Sequence, residues 1–408
     1  MATILIIALV VGLLMAVAIG ANDVANSMAT AVGAKAITIK QAVIIAAILE
    51  FAGAYVFGKG VTETIRKGIV DVSFIHNPDM LIYGALAALI SAMLWIFLST
   101  IFSLPVSTTH SIVGGMVGFG IMAAGVNAIH WAKILFITAG WIISPFVGGA
   151  LAFFMLKFIG KTILHHRNSP TERVRKIGPF LIGLTFFVVG VMFFLKVMHM
   201  KRYLFAFAVS IGIGVLGWLI GKMFVRVFVK NKKGIFGEYD LVEEIFRRMQ
   251  IFTSCYVALA HGSNDVANAI GPLAAIYVVV KTGVISGKVM FPRWLLALGG
   301  LGIALGVALW GYRVMRTVGS RITELTNTRG FSIDFATATT VLFASIFGFP
   351  VSSTHTVVGS VVGVGYARGL EAVNIGVLKN IIASWALTVP VAAITAAGIY
   401  KLLIMIFL

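Results

Sequence analysis

The chain has 408 residues, of which 60% are hydrophobic and 11% charged, against roughly 45–50% and about 25% in a soluble domain. That balance excludes a soluble enzyme, a disordered scaffold and a secreted disulfide protein, and Cys255, the one cysteine, permits no intramolecular disulfide. The net charge of +18 would point to nucleic acid in a soluble protein. Beside apolar spans it is instead the positive-inside bias of a polytopic protein whose partner is the lipid bilayer, with no nucleic acid.

A spanning helix needs roughly 20 apolar residues. Residues 2–33 form the first such stretch, interrupted near Asn22 and Asp23. No Lys or Arg precedes Lys35, so the run lacks the basic start of a secretory leader and reads as a retained span. Helical stretches follow at 38–58, 80–104, 106–125 and 129–157, then at 177–198 and 203–225. A second interrupted stretch is expected at 250–280, followed by 294–315, 333–348, 350–367 and 373–407. A β-barrel would show short alternating segments, and the long unbroken runs argue for an all-α fold.

Charge orients the middle of the chain. Stretches 157–176 and 222–248 carry thirteen Lys and Arg, while the hairpin between the two central spans has only Lys196, Lys201 and Arg202. The central segment is therefore expected in the cytoplasm. The acidic group Glu238, Asp240, Glu243 and Glu244 fits a solvated amphipathic helix there.

The chain repeats itself. Gly-Ala-Asn-Asp-Val-Ala-Asn at 20–26 returns as Gly-Ser-Asn-Asp-Val-Ala-Asn at 262–268, and Pro-Val-Ser-Thr-Thr-His at 105–110 returns as Pro-Val-Ser-Ser-Thr-His at 350–355. The offsets, 242 and 245, agree closely enough to mark a duplication. We read a first transmembrane repeat at 1–160, a two-helix insert with basic segments at 161–249, and a second repeat at 250–408. Internal duplication characterises secondary carriers. The motifs alone leave parallel and inverted repeats both open.

Asp23 and Asp265 each sit in an apolar stretch beside Asn22 and Asn26, or Asn264 and Asn268. A carboxylate at bilayer depth costs several kcal/mol unless it faces protein, water or a cation. Carboxylate and amide oxygens suit a hard cation such as Na⁺, so Asn22, Asp23, Asn264 and Asp265 are the candidate cation ligands. The structural reading is that each Asp caps a half-helix.

Pro105 and Pro350 break the chain just ahead of Ser107, Thr108 and Thr109, and of Ser352, Ser353 and Thr354. Hydroxyls crowded at a fresh helix N-terminus, where N–H groups and the dipole favour negative charge, suit an oxyanion. Each segment reads as a re-entrant helical hairpin with an anion at its tip, helped by Asn26 and Asn268. The bland reading is capping of a buried helix. His110 and His355 close these motifs as proton acceptors, anion contacts or buried structural residues. Glu50 is a functional carboxylate or a structural partner, and Asp334 reads as an N-terminal helix charge.

A divalent oxyanion beside two aspartates gathers about four negative charges in a low dielectric. No Lys or Arg lies in the four motifs. Cations must supply the missing charge, so anion and cation bind well only together, which is the content of symport. This holds only if the motifs converge in space.

At 20–26 and 105–110, and through Gly-Val-Thr-Glu-Thr-Ile-Arg-Lys-Gly at 60–68, the chain resembles the inorganic phosphate transporter (PiT) family over essentially its whole length. The resemblance implies inverted repeats with outward-facing termini, two helical hairpins, and symport of inorganic phosphate with Na⁺ or H⁺. It also implies a homodimer in the cell inner membrane, no cofactor beyond the coupling ion, and a role for Glu50 in transport. Ala269 stands where the first motif has Ser27, so the halves need not bind alike. Some relatives carry sulfate, which leaves the anion open. A passive channel, or an intramembrane hydrolase built on Ser107, His110 and Asp23, are the rival classes. The duplication argues against the hydrolase, which needs one nucleophile.

Overall fold

The computed structural model describes all residues except 1, 60–61, 63–68, 76, 167–168, 198–201, 233–235, 286–290 and 347–350. Segment 60–68 apart from Thr62, Pro350, and the basic residues Arg167, Lys201 and Lys233 therefore lie outside the described residues. What is described is almost wholly helical, and nine of its helices are long and apolar enough to cross a membrane.

The first stretch is interrupted as expected. Helix α1 (Ala2–Asp23) ends at a turn on Val24, and α2 (Ala25–Gly33) follows. The Val24 carbonyl collects the backbone N–H groups of Ser27 and Met28 and the Ser27 hydroxyl, at 3.3, 3.0 and 3.2 Å. Helix α3 (Ile39–Phe57) starts from a capping box of Thr38 and Gln41. Helix α4 (Pro78–Ile101) and the short α5 (Thr108–Ala124) pack as one hairpin, and α6 (Trp131–Ile159) follows.

Helices α7 (Pro170–Met192) and α8 (Tyr203–Lys232) pack chiefly on each other. Their core, including Leu181, Val188 and Val225, is completed by Ile245 and Phe246 of α9 (Glu238–Thr282). At 45 residues, α9 is about 67 Å long, more than twice the roughly 30 Å of a bilayer interior. Its first turns thus extend beyond the hydrocarbon, with Glu238 and Asp240 exposed and Glu244 paired to Arg247 at 3.2 Å.

Helix α9 corrects the expectation of a second interruption, for it runs unbroken through Asn264, Asp265 and Pro272. Pro272 withholds one N–H from the ladder, and dense burial on all sides offsets that loss. The boundary drawn at 249/250 falls inside this helix. The chain closes with α10 (Trp294–Arg316), the second hairpin α11 (Asn327–Ile346) and α12 (Ser353–Arg368), and α13 (Ile375–Phe407).

The halves interleave. Helix α1 packs along α10, α3 along α9, α5 along α13 and α6 along α12. Glycines permit these approaches, two of them at equivalent motif positions. A Cβ on Gly20 would lie 2.0 Å from the Ile303 carbonyl oxygen, and one on Gly262 would lie 2.1 Å from that of Glu50. Gly262 thereby sets how near α3, with Glu50, comes to α9. Gly262→Ala is expected to destabilise the protein by about 1–3 kcal/mol, read as a lowered melting temperature in detergent. Gly398→Ala, where a Cβ meets nothing within 4 Å, should be neutral or stabilise by up to about 1 kcal/mol.

Candidate functional site

The two hairpins present matched tips. Ser107 and Ser352 are the N-caps of α5 and α12, accepting from the backbone N–H of His110 at 3.2 Å and of His355 at 3.3 Å. Their φ and ψ agree within a few degrees, −84/117 and −87/119. Capping, the bland reading, is therefore the contact these serines make. It directs two helix N-termini, each with threonines in the first turn, at one place.

The Asn-Asp segments meet those tips in an exchanged pattern. Asn26, in the first repeat, donates to Ser353 at 3.3 Å and Thr354 at 2.9 Å in the second hairpin. Asn268, in the second repeat, donates to Thr108 at 3.1 Å and Thr109 at 3.3 Å in the first. Asp23 joins both, accepting from Thr108 at 2.7 Å and from Thr354 at 3.5 Å. Asn22 holds the first tip itself, donating to Thr100 and the Leu104 carbonyl at 3.0 Å and accepting from the Val106 N–H at 3.1 Å. All four motifs thus converge.

Beside this polar knot lies a cluster of acidic groups around a residue that the motifs did not reveal. His261 Nε2 contacts the Asp265 carboxylate and lies 4.0 Å from Asp23 Oδ2, while its Nδ1 lies 3.5 Å from Glu50 Oε1. Glu50 also accepts from Ser27 at 3.0 Å, so it belongs to the site. Asn264 donates to Asp265 at 3.1 Å and is half-buried, at the margin of the cluster. The one sequence signal for His261 was its place directly before the second motif, where the first repeat has Ile19.

The donor set fits a cation. Ligand atoms of Asp23, His261 and Asp265 all lie within 4.8 Å of one another. Glu50 Oε2 is buried without a hydrogen-bond donor among the described residues, and one imidazole, His261, stands against all three carboxylates. Buried carboxylate oxygens left in this state are costly unless a positive charge faces them. The imidazole contributes nitrogen, which a hard alkali cation favours less than oxygen.

The remaining candidates fall elsewhere. His110 and His355 stand behind the tips among tryptophan rings, and the Ser107–His110–Asp23 triad is not assembled, since Asp23 takes its hydrogen bond from Thr108 and not from the His110 ring. Asp334 is not the terminal charge expected. It lies two turns into α11, buried, and accepts from Thr30 at 2.6 Å, Ser254 at 2.6 Å and Thr253 at 3.4 Å. Three elements converge on this carboxylate, and no local pattern announces that. Asp334→Ala strips the acceptor from three hydroxyls and should cost about 2–4 kcal/mol of stability. Asp334→Asn, which keeps one acceptor oxygen, should cost less in the same thermal assay.

Comparison with known proteins places the chain among transporters. A model of the phosphate transporter family matches residues 19–396. The chain is 55% identical over 400 residues to a protein described as a phosphate permease in Pyrococcus abyssi, with 98% of both chains covered. It is 40% identical over 421 residues to the chloroplastic inorganic phosphate transporter 2-1 of Arabidopsis thaliana, covering 96% of this chain and 70% of that one. A solved structure, described as the sodium-dependent phosphate transporter, matches with a TM-score of 0.92 at 51% identity, over 99% of this chain and 100% of the other.

Proposed function

The chain belongs to the phosphate transporter family, and on that premise we propose that it is a secondary carrier drawing inorganic phosphate inward with Na⁺. The carrying observation is the convergence of two hydroxyl-bearing helix N-termini with the buried carboxylates Asp23, Glu50 and Asp265. It is a transporter and not an enzyme, and its helices cross the membrane many times.

In this reading the anion lies between the tips, held by Thr108, Thr109, Ser353 and Thr354, the hydroxyls to which Asn26 and Asn268 already donate. Ser107 and Ser352 keep the helix N-termini formed behind it. Asp23, Asp265 and Glu50 supply oxygen to the cations, and Asn22 and Asn264 hold the neighbouring chain in place. Two like charges about 4 Å apart repel by roughly 4 kcal/mol at an effective dielectric of about 20. An unaccompanied phosphate meets that repulsion from more than one carboxylate, even with His261 protonated. Bound cations reverse its sign, so each ligand raises the affinity for the other.

Na⁺ as the coupling ion is supported by the oxygen-rich donor set and by the description of the matching structure as sodium-dependent. The bias of thirteen basic residues against three supports a cytoplasmic central segment, and we assign the carrier to the cell inner membrane. The exchanged contacts suit repeats that are inverted about a shared site.

Purified protein in liposomes is expected to take up labelled phosphate under an inward Na⁺ gradient and not under an equal K⁺ gradient, with arsenate competing and sulfate not. Folded Asp23→Asn protein should lose roughly a hundredfold in rate, or about 2.7 kcal/mol of stabilisation. Wild-type rates in that variant would overturn the assignment of Asp23. Uptake driven by a proton gradient alone would move the coupling ion to H⁺, and sulfate uptake would move the anion.

A further inference from the structure

Behind the two tips lies a cluster of rings that the transport site does not use. His110 and His355 have ring centroids 4.4 Å apart. Trp141 of α6 lies against His110 at 3.5 Å, and Trp385 of α13 stacks on His355 at 3.7 Å and 19°. The tryptophans are 244 residues apart and the histidines 245, so the duplication supplied both pairs.

Their attachments are crossed. Helix α6 packs along α12, in the second hairpin, yet the Trp141 ring lies on His110 of the first. The Trp141 carbonyl lies 3.1 Å from His355 Nδ1, in the second. Helix α13 packs along α5, in the first hairpin, yet the Trp385 ring lies on His355 of the second. Its Nε1 donates to the Pro105 carbonyl at the first tip, at 2.9 Å. Each tryptophan therefore touches both hairpins.

The choice of ring is itself informative. Both nitrogens of His110 and Nε2 of His355 are buried without a hydrogen-bond partner among the described residues. An apolar ring would fill the same space without leaving polar atoms unpaired. A histidine stands at both positions, and each lies against a tryptophan ring.

We propose that Trp141 and Trp385 are positioning residues for the anion site, two parallel ties that hold the hairpin tips in one register. Their work is to keep Thr108 and Thr354, both bonded to Asp23, facing one anion together. The proposal rests on the phosphate reading above. Because the ties act in parallel, loss of one leaves the other in place, and loss of both frees the tips from each other.

The test is binding of labelled inorganic phosphate to the purified full-length protein in saturating Na⁺, for Trp141→Ala, Trp385→Ala and the double variant. Each single change is expected to weaken binding by roughly three- to tenfold. The double should weaken it at least about tenfold beyond the product of the two. Losses that multiply to within about twofold would overturn the ties, since separate local damage behaves so. Trp385→Phe keeps a ring over His355 but has no donor for Pro105, and is expected to bind as Trp385→Ala does. Wild-type affinity in Trp385→Phe would reduce Trp385 to packing. Should an alanine variant fail to fold by size exclusion, the same cycle runs with Trp385→Phe and His110→Leu. The unmodified protein separates the two readings. No binding there fails the phosphate assignment, whereas multiplicative losses beside intact wild-type binding fail the ties alone.

Discussion

A carboxyl group buried inside a bundle of apolar helices needs compensation, and this chain buries four of them in its middle. Asp23, Glu50 and Asp265 gather about His261, and Asp334 sits apart among three hydroxyls. For Asp334 the compensation is complete within the protein, because every hydrogen bond comes from a neighbouring helix. For the other three it is not, since Glu50 Oε2 is buried without a donor among the described residues and the single imidazole of His261 serves all three carboxylates. That difference separates a structural acidic group from a working one. In the reading proposed above, that incompleteness makes the cluster around His261 a place for cations, and cations make the adjoining hairpin tips a place for an anion.

The rest of the fold serves this arrangement. Hairpins bring two helix N-termini to one point, which a single through-going helix cannot do. Exchanged hydrogen bonds then make each repeat hold the other's hairpin, Asn26 on Thr354 and Asn268 on Thr108. Glycines at 20 and 262 let the helices carrying Asp23 and Asp265 lie backbone to backbone against their neighbours. The Trp141 and Trp385 ties belong to the same logic, since a site shared by two halves works only while the halves keep register.

Much of this was legible in the chain because duplication wrote it twice. The Asn-Asp and Ser/Thr motifs and the absence of Lys or Arg from them follow from spacing and composition, and the hairpins follow from the prolines that precede the hydroxyls, while the convergence of the motifs came only with the fold. What occurs once was harder to see. His261 has Ile19 as its counterpart, so no repeat drew attention to it. Asp334 draws its partners from residues 30, 253 and 254, a convergence that only tertiary packing creates. The continuity of α9 also escaped the sequence, where the polar motif suggested a break. Burial around the motif outweighed that signal, as packing commonly outweighs local propensity.

The central claim is that cation and anion share one electrostatic site, and thermodynamic reciprocity tests it most directly. Phosphate would be titrated calorimetrically into the purified protein while Na⁺ is raised at constant ionic strength with K⁺ as the balance, and Na⁺ would be titrated with and without phosphate. The account predicts that Na⁺ tightens phosphate binding and that phosphate tightens Na⁺ binding by the same factor, in the range of roughly 5–150-fold. A phosphate affinity that stays unchanged as K⁺ is replaced by Na⁺ would contradict it.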